Sequence, residues 1–370
     1  MLSSFSAPPS FWSAILGRAA DSPQPAPIPS LAGQTILVTG AGGYIGSRMT
    51  RLFADSGARL VLLEIAEPSL FDLHTQLTAA GDADRCIPVI GSVCDRALLA
   101  TLFDEHRPDL VLHAAALKHV PLMEQNPLAA LATNALGTWT LTEIAADFDT
   151  PRMLLISTDK AVAPHSIMGA SKRIAEQIVL AHPGFTAVRL VNVLGSPASV
   201  GPIFADQIAH GGPVTVTHPD ARRFFLTLDE VAALLTEAID AHASGLLIPD
   251  PGEPLRITDL ARRMITALRP NDGPDIPIVF TTPRPGDKLD ESLLSAAERD
   301  ASPATPSLRR VLSPSVPDLR AAIRDLESAI AARALSDLLR AVLRLVPDYE
   351  PSALLRESFA EFGAESATAR

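Results

Sequence analysis

Lysine is nearly missing from this chain. It occurs four times, at Lys118, Lys160, Lys172 and Lys288, among 31 basic residues. Arginine supplies the other side-chain positive charge. Arginine stays protonated in proteins, whereas lysine can be tuned to act as a base, so each lysine is a candidate for a specific task. Tyrosine is scarcer still, with only Tyr44 and Tyr349. Two cysteines, Cys86 and Cys94, exclude a disulfide framework and lack metal-ligand spacing. They read as buried free thiols in a reducing compartment. No run approaches the roughly 18 apolar residues of a membrane span. Runs such as Leu60–Leu63 and Leu110–Leu112 have strand length. The first residues lack the basic patch and apolar stretch of a secretion signal, and Pro8 and Pro9 interrupt them. A cytoplasmic protein is expected. The net charge of −11 argues against a surface built for nucleic acid or an anionic membrane.

The chain has 370 residues, 47% of them hydrophobic, which suits a substantial core and about two domains. Residues 1–33 are proline-rich and read as an extended arm with a short amphipathic turn around Phe11–Leu16. From Thr35 to about Leu194, short apolar runs alternate with helical periods. Strands are expected at Thr35–Thr39, Arg59–Leu63, Cys86–Ile90, Asp109–His113, Arg152–Ser157 and Thr186–Leu190. Helices are expected at Tyr44–Asp55, Leu70–Ala80, Arg96–Glu105, Ala129–Asp147 and Met168–Ala181. This alternation predicts an α/β fold with a doubly wound parallel sheet over residues 34–194. Residues 195–298 read mainly as a smaller α/β substrate lobe, with some later segments returning to the sheet. The Pro/Ser-rich stretch 299–316 reads as a linker. Two amphipathic helices follow within 317–345, with Leu319, Ile323, Leu326 and Ile330 on one face.

The first strand runs into Gly40-Ala41-Gly42-Gly43-Tyr44-Ile45-Gly46 and then a helical period. Glycines there permit a tight turn and let a pyrophosphate approach the backbone at a helix N-terminus. Glu64 ends the second strand, 18 residues beyond Gly46, where a carboxylate can bind a ribose 2′-hydroxyl. It would repel a 2′-phosphate, so NAD is expected rather than NADP. Ser92 and Val93 follow the third strand, where an adenine edge would lie. Asp95 there reads equally well as a helix N-cap.

Ser157-Thr158-Asp159-Lys160 closes the fifth strand, and ligands of open α/β sheets bind at strand carboxyl ends. Met168-Gly169-Ala170-Ser171-Lys172 follows. Together with Ala114-Ala115-Ala116-Leu117-Lys118-His119 and Arg284-Pro285-Gly286-Asp287-Lys288-Leu289, these motifs resemble the extended short-chain dehydrogenase/reductases. More narrowly, they resemble the polysaccharide-biosynthesis branch of nucleotide-sugar 4,6-dehydratases acting on UDP-N-acetylglucosamine. The resemblance covers roughly residues 34–351. Many members of that family carry a membrane portion ahead of this domain; this chain reads as a stand-alone version.

The resemblance implies a set of roles. NAD would contact Gly40, Gly43, Tyr44, Ile45, Gly46, Glu64, Ser92, Val93, Ala114, Ala115, Lys118 and Lys172. The UDP-sugar would meet Lys118, His119, Asn134, Asn192, Arg223, Arg284 and Lys288. No metal is implied. Thr158, Asp159, Lys160, Met168 and Lys172 would form the catalytic group. Most relatives in the superfamily pair a tyrosine with the lysine four residues later. Here Met168 takes the tyrosine position, and a thioether transfers no proton. The membrane-attached branch commonly has methionine there and keeps the Asp-Lys pair.

The implied reaction is internal redox. Asp159 accepts the C4 hydroxyl proton, Lys160 takes the C5 proton, and water leaves from C6; inversion at C5 is one outcome. Such a base needs a lysine pKa brought toward neutrality, as burial beside a cofactor cation would do. Competing readings are a nucleotide-sugar C4 epimerase or ketosugar reductase, and an NAD-binding regulator without chemistry. The sequence departs from the family at Tyr44, Arg48, Leu190-Val191, Ser196-Pro197-Ala198 and Asp290, which bears on substrate identity. The helices at 129–147 and 168–181 resemble those of dimer bundles, so a homo-oligomer is expected by analogy.

Overall fold

The computed structural model describes residues 7–18, Pro25, Ile28, 31–269 and 275–357. Seven of the labelled strands, β1 (Thr35–Thr39), β2 (Arg59–Glu64), β3 (Cys86–Ile90), β4 (Leu110–His113), β5 (Arg152–Thr158), β6 (Thr186–Leu190) and β7 (Gly245–Pro249), form a parallel sheet. The hairpin β8 (Arg299–Pro303) and β9 (Leu308–Leu312) joins antiparallel to β7. The full order is β8-β9-β7-β6-β5-β4-β1-β2-β3. The strand order reverses between β1 and β4, so a crevice opens at their carboxyl ends.

These strands read as continuous apolar runs because both faces are covered. Ile36, Val38, Leu60, Leu62, Leu110, Leu112 and Leu154 pack with the helices Tyr44–Asp55, Glu67–Ala79 and Leu228–Asp240. Their alternate neighbours Leu37, Val61, Leu63, Val111, Met153 and Leu155 pack with Arg96–His106, Gly137–Asp147 and Ile167–Leu180. The second helix starts at Glu67, ahead of the expected Leu70, because Pro68 fits its first turn. The helix expected over 129–147 is instead Pro127–Leu131, a π turn at Ala132–Leu136, and Gly137–Asp147.

Three other expectations change. The supposed linker at 299–316 supplies β8 and β9, with Leu308 and Val311 buried against the sheet. The amphipathic turn in the arm is a helix, Pro9–Leu16, and it buries Trp12 and Ile15. Cys86 is buried, but Cys94 is exposed. The helices over 127–147 and 167–180 also pack against the C-terminal helices of the same chain. Ala130, Leu131, Ala135, Ile174 and Ile178 pack with Ile323, Leu326, Leu338 and Val342 from the helices Leu319–Ala331 and Leu335–Leu345. The smaller lobe packs Leu194, Phe204, Val214, Phe225, Leu260 and Met264 around Trp12 and Ile15. Among the described residues, no helix is long and apolar enough to cross a membrane.

Candidate active site

The glycine turn forms as expected. Gly40 has φ +66, a conformation glycine adopts freely. A Cβ on Gly46 would lie 2.1 Å from the Gly40 carbonyl oxygen, so helix and strand meet at a distance only glycine allows. Gly43 caps the Tyr44–Asp55 helix without a side-chain bond. The first helical amides, from Tyr44 to Gly46, lack intrahelical acceptors and are left for an anion. Glu64 lies beside this turn. Its Oε2 accepts from Gly42 N–H at 3.1 Å, and its Oε1 accepts from Ile65 and Ala66 N–H. Ala114 and Ala115 flank the turn from β4, with Ala114 N–H donating to Thr39 O. Val93 is buried, while Ser92 Oγ accepts from Cys94 N–H. Asp95 fills the N-cap role, accepting from Leu98 N–H at 3.0 Å.

Beneath the turn runs a buried polar chain. Thr39 Oγ1 lies 2.7 Å from His113 Nδ1, and His113 Nε2 lies 2.9 Å from Thr138 Oγ1. Thr138 Oγ1 in turn donates to Asn134 O. With the Thr138 proton so used, His113 donates from Nε2 and accepts at Nδ1. Burial, then the charge of Lys172, pushes its pKa down to about 3, so the ring is neutral. Asn134, expected to meet the UDP-sugar, spends its side-chain amide on the protein itself. It is wholly buried, and its amide brackets both backbone groups of Leu117 and bonds Ser171 Oγ. It therefore positions the loop that carries Lys118.

Asp159 and Lys160 stand on a short 3₁₀ turn at the end of β5. Asp159 is fully buried. Its Oδ1 accepts from Thr158 Oγ1 at 2.9 Å and Lys160 Nζ at 3.0 Å, whereas its Oδ2 is buried with no partner. Lys160 Nζ also donates to Asn192 Oδ1 at 3.1 Å, which brings together two residues expected in the site. The sequence reading missed Glu291. This carboxylate, 3% exposed, lies 3.7 Å from Lys160 Nζ, 3.9 Å from Arg223 Nε and 3.8 Å from Lys288 Nζ. Its only sequence signal was its place two residues after the Lys288-Leu289 motif.

In the chain by itself this cluster raises the Lys160 pKa rather than lowering it. Burial disfavours the ammonium, but Asp159 and Glu291 outweigh it and leave the pKa above the usual lysine value. Lys172 behaves in the opposite way. It is 5% exposed, and burial outweighs Glu176 to bring its pKa down to about 8. Met168, one turn earlier, packs with Val120 and Met123 and is 4% exposed.

Lys172 carries a testable cost. Below about pH 8 it is protonated in both the folded and unfolded states, and the folded protein bears the full penalty of burying the charge. Between about pH 8 and the usual lysine value the unfolded chain binds the extra proton, so stability rises with pH. Lys172→Met should therefore stabilise the cofactor-free protein at pH 7 by an amount on the order of 3 kcal/mol. Urea melts should show this gain shrinking toward pH 10.5. A variant less stable than wild type at pH 7 would contradict it.

The remaining expected residues surround the cluster. Arg223 donates to the carbonyls of Lys288 and Leu289, and Lys288 Nζ donates to Val162 O at 2.6 Å. Lys118 Nζ donates to Pro197 O at 3.1 Å, tying the β4 loop to the residues after β6. Burial lowers the His119 pKa, assisted by Lys118 and Arg284. Arg284 is the outlier: it is mostly exposed and pairs with Asp287 at the rim. Arg48, the departure in the glycine helix, pairs with Asp229 at 3.0 Å. The site therefore holds two carboxylates and three cations in contact, and one oxygen of each carboxylate, Asp159 Oδ2 and Glu291 Oε2, is buried without a hydrogen-bond partner.

A family described as polysaccharide biosynthesis protein matches residues 36–312. The capsular polysaccharide biosynthesis protein CapD of Staphylococcus aureus is 43% identical over 72% of this chain and 46% of its own length. The chain thus spans about half of that relative. A UDP-glucose 4-epimerase of Rickettsia conorii is 31% identical over 72% of this chain and 79% of its own. Among solved structures, DesIV, a dTDP-glucose 4,6-dehydratase from Streptomyces venezuelae with NAD and TYD bound, superposes with a TM-score of 0.60. It is 20% identical over 70% of this chain and 88% of its own, a likeness of fold.

Proposed function

This chain belongs to the polysaccharide biosynthesis protein family, and on that premise we propose that it is an NAD-dependent nucleotide-sugar 4,6-dehydratase. Its substrate would be UDP-N-acetylglucosamine or a related UDP-sugar. The observation that carries this reading is the buried Asp159–Lys160 pair with an unpartnered Asp159 Oδ2 and no tyrosine at position 168.

The residues present fit NAD. The uncapped helix start at Gly43 suits a pyrophosphate, and Glu64 beside it suits a ribose hydroxyl while repelling a phosphate. Bound NAD⁺ supplies a hydride acceptor and, once reduced, a hydride donor. Lys172 would bind near the nicotinamide ribose. Arg223, Lys288 and Lys118 would face the sugar diphosphate, and their charge suits it.

Asp159 takes the C4 hydroxyl proton on Oδ2 and later gives it to the C6 hydroxyl, which leaves as water. Lys160 removes the C5 proton, made acidic by the C4 ketone, and returns a proton to C5 at the end. The Lys160 protons exchange with solvent between these events. Because its ion pairs hold Lys160 charged, it must lose a proton before it acts as a base. The rate is therefore expected to rise with pH.

The test is incubation with UDP-N-acetylglucosamine and NAD⁺ in deuterated water, followed by NMR and mass spectrometry. The expected product has lost one water and carries deuterium at C5. The Rickettsia relative favours a second reading, a C4 epimerase. That reaction gives an isomer of unchanged mass with no label at C5, and such a product would displace the dehydratase. Met168 weighs against it, since it supplies no phenol for the C4 hydroxyl.

A further inference from the structure

The helix Pro9–Leu16 lies outside the residues that the family covers, yet it packs behind a loop of the candidate site. Trp12 is 4% exposed. Its indole abuts two glycines. A Cβ on Gly195 would fall 2.6 Å from Trp12 Nε1, and one on Gly201 would fall 2.9 Å from Trp12 Cη2. Gly195 also has φ +84, so a side chain there would meet both backbone strain and the indole.

Arg18 gives a second anchor. Its guanidinium donates to Phe225 O at 2.7 Å and Pro251 O at 3.0 Å, and it pairs with Glu230. Phe225 is in register with Asn192 in a short parallel pairing. Arg263 Nη1 holds the same C-terminal end of the helix, donating to Ile15 O at 3.0 Å. The segment is thus held by Trp12 against Gly195 and Gly201 and, at its C-terminal end, by Arg18 and Arg263.

That loop carries groups of the site. Asn192 Oδ1 accepts from Lys160 Nζ, Leu194 O accepts from Tyr44 Oη, and Pro197 O accepts from Lys118 Nζ. Ala198 has φ +55, a left-handed conformation that a non-glycine residue keeps only when its surroundings impose it. The loop therefore links groups at the ends of β4, β5 and β6 and carries one strained residue.

We propose that Trp12 is a positioning residue that braces residues 192–201 in the form that grips the nucleotide sugar. The proposal rests on the nucleotide-sugar reading above. Trp12 touches no reacting atom, so its loss should weaken substrate binding more than it slows the chemical step.

Trp139 is the other of the two tryptophans, and it lies under Arg320 in the C-terminal helix cluster. Trp139→Phe therefore leaves Trp12 as the sole indole reporter. Titrating UDP into this NAD-loaded variant should change Trp12 emission in step with calorimetric binding. Trp12→Phe, chosen to keep the helix packed, should raise KM for UDP-N-acetylglucosamine about tenfold with kcat within about threefold. It should also speed amide exchange across 193–199. Emission that stays constant through UDP saturation, or unchanged KM and exchange, would overturn the brace. Wild-type protein that fails to bind UDP would overturn the nucleotide-sugar reading instead. The exchange comparison would then still decide whether the indole holds the loop.

Discussion

Lys160→Arg should fold normally and lose the proposed dehydration about a thousandfold, within the range typical of removing a positioned acid–base group. Arginine preserves the positive charge facing Asp159 and Glu291 but cannot give up its proton. The substitution therefore separates electrostatic anchoring from proton transfer. The readout is deuterium entry at C5 under saturating substrate. Near-normal exchange in the variant would sink the base assignment.

The pH profile sharpens the test. Burial opposes the Lys160 charge, but Asp159 and Glu291 overcome it and hold the pKa above the usual lysine value. Activity limited by a neutral Lys160 then rises with pH toward that value. Glu291→Gln removes one stabilising carboxylate, 3.7 Å away, and should move this rising limb to lower pH. A limb that stays in place would mean that Glu291 serves only the neighbouring Arg223 and Lys288.

The second large effect is on stability. Arg189 is wholly buried and sits between Glu176 and Glu298. Its guanidinium makes paired bonds to both carboxylates at 2.7–2.9 Å and a further bond to Leu293 O at 3.0 Å. Arg173 adds a second cation to the same two acids. Taking away Arg189 strands buried negative charge, a change that costs about 3–5 kcal/mol. Arg189→Met should show this loss in urea unfolding. A loss below about 1 kcal/mol would mean that Arg173 alone compensates both carboxylates.

Acid should imitate the mutation. Burial would raise the Glu298 pKa, but Arg189 and Arg173 outweigh it and pull the value down to about 2. A depressed carboxylate stabilises the fold above its unfolded pKa, and that stability is lost as pH falls through the folded value. Wild-type stability should thus decline between about pH 4.5 and 2, and Arg189→Met should flatten that decline. The network also matters to the site. It anchors residues 293–298, the segment that follows Glu291.

The parallel sheet was legible in the sequence for a simple reason. Strands covered on both faces must be apolar throughout, and the glycine turn and helical periods mark where each one ends. The bounds of β1, β3 and β6 agree with the sequence reading to the residue. Arg299–Leu312 was illegible because Ser302 and Pro303 give it a linker's composition. Only pairing with β7 reveals that Leu308 and Val311 face the core. The C-terminal helices had a readable apolar face, but nothing in their period said that its partner was the helices over 127–147 and 167–180.

The site divides along the same line. The sequence by itself determined the dinucleotide-type turn, the Asp159–Lys160 pair and the missing tyrosine, because these are local and their spacing carries the chemistry. Only the tertiary structure decided the charge state of Lys160, since Glu291 arrives from a distant loop and electrostatics depends on distance through space. It also withdrew Asn134 into a bracket for Leu117 and brought Trp12 against Gly195. Burial and through-space contact are properties of the folded chain, so no local pattern of residues could contain them.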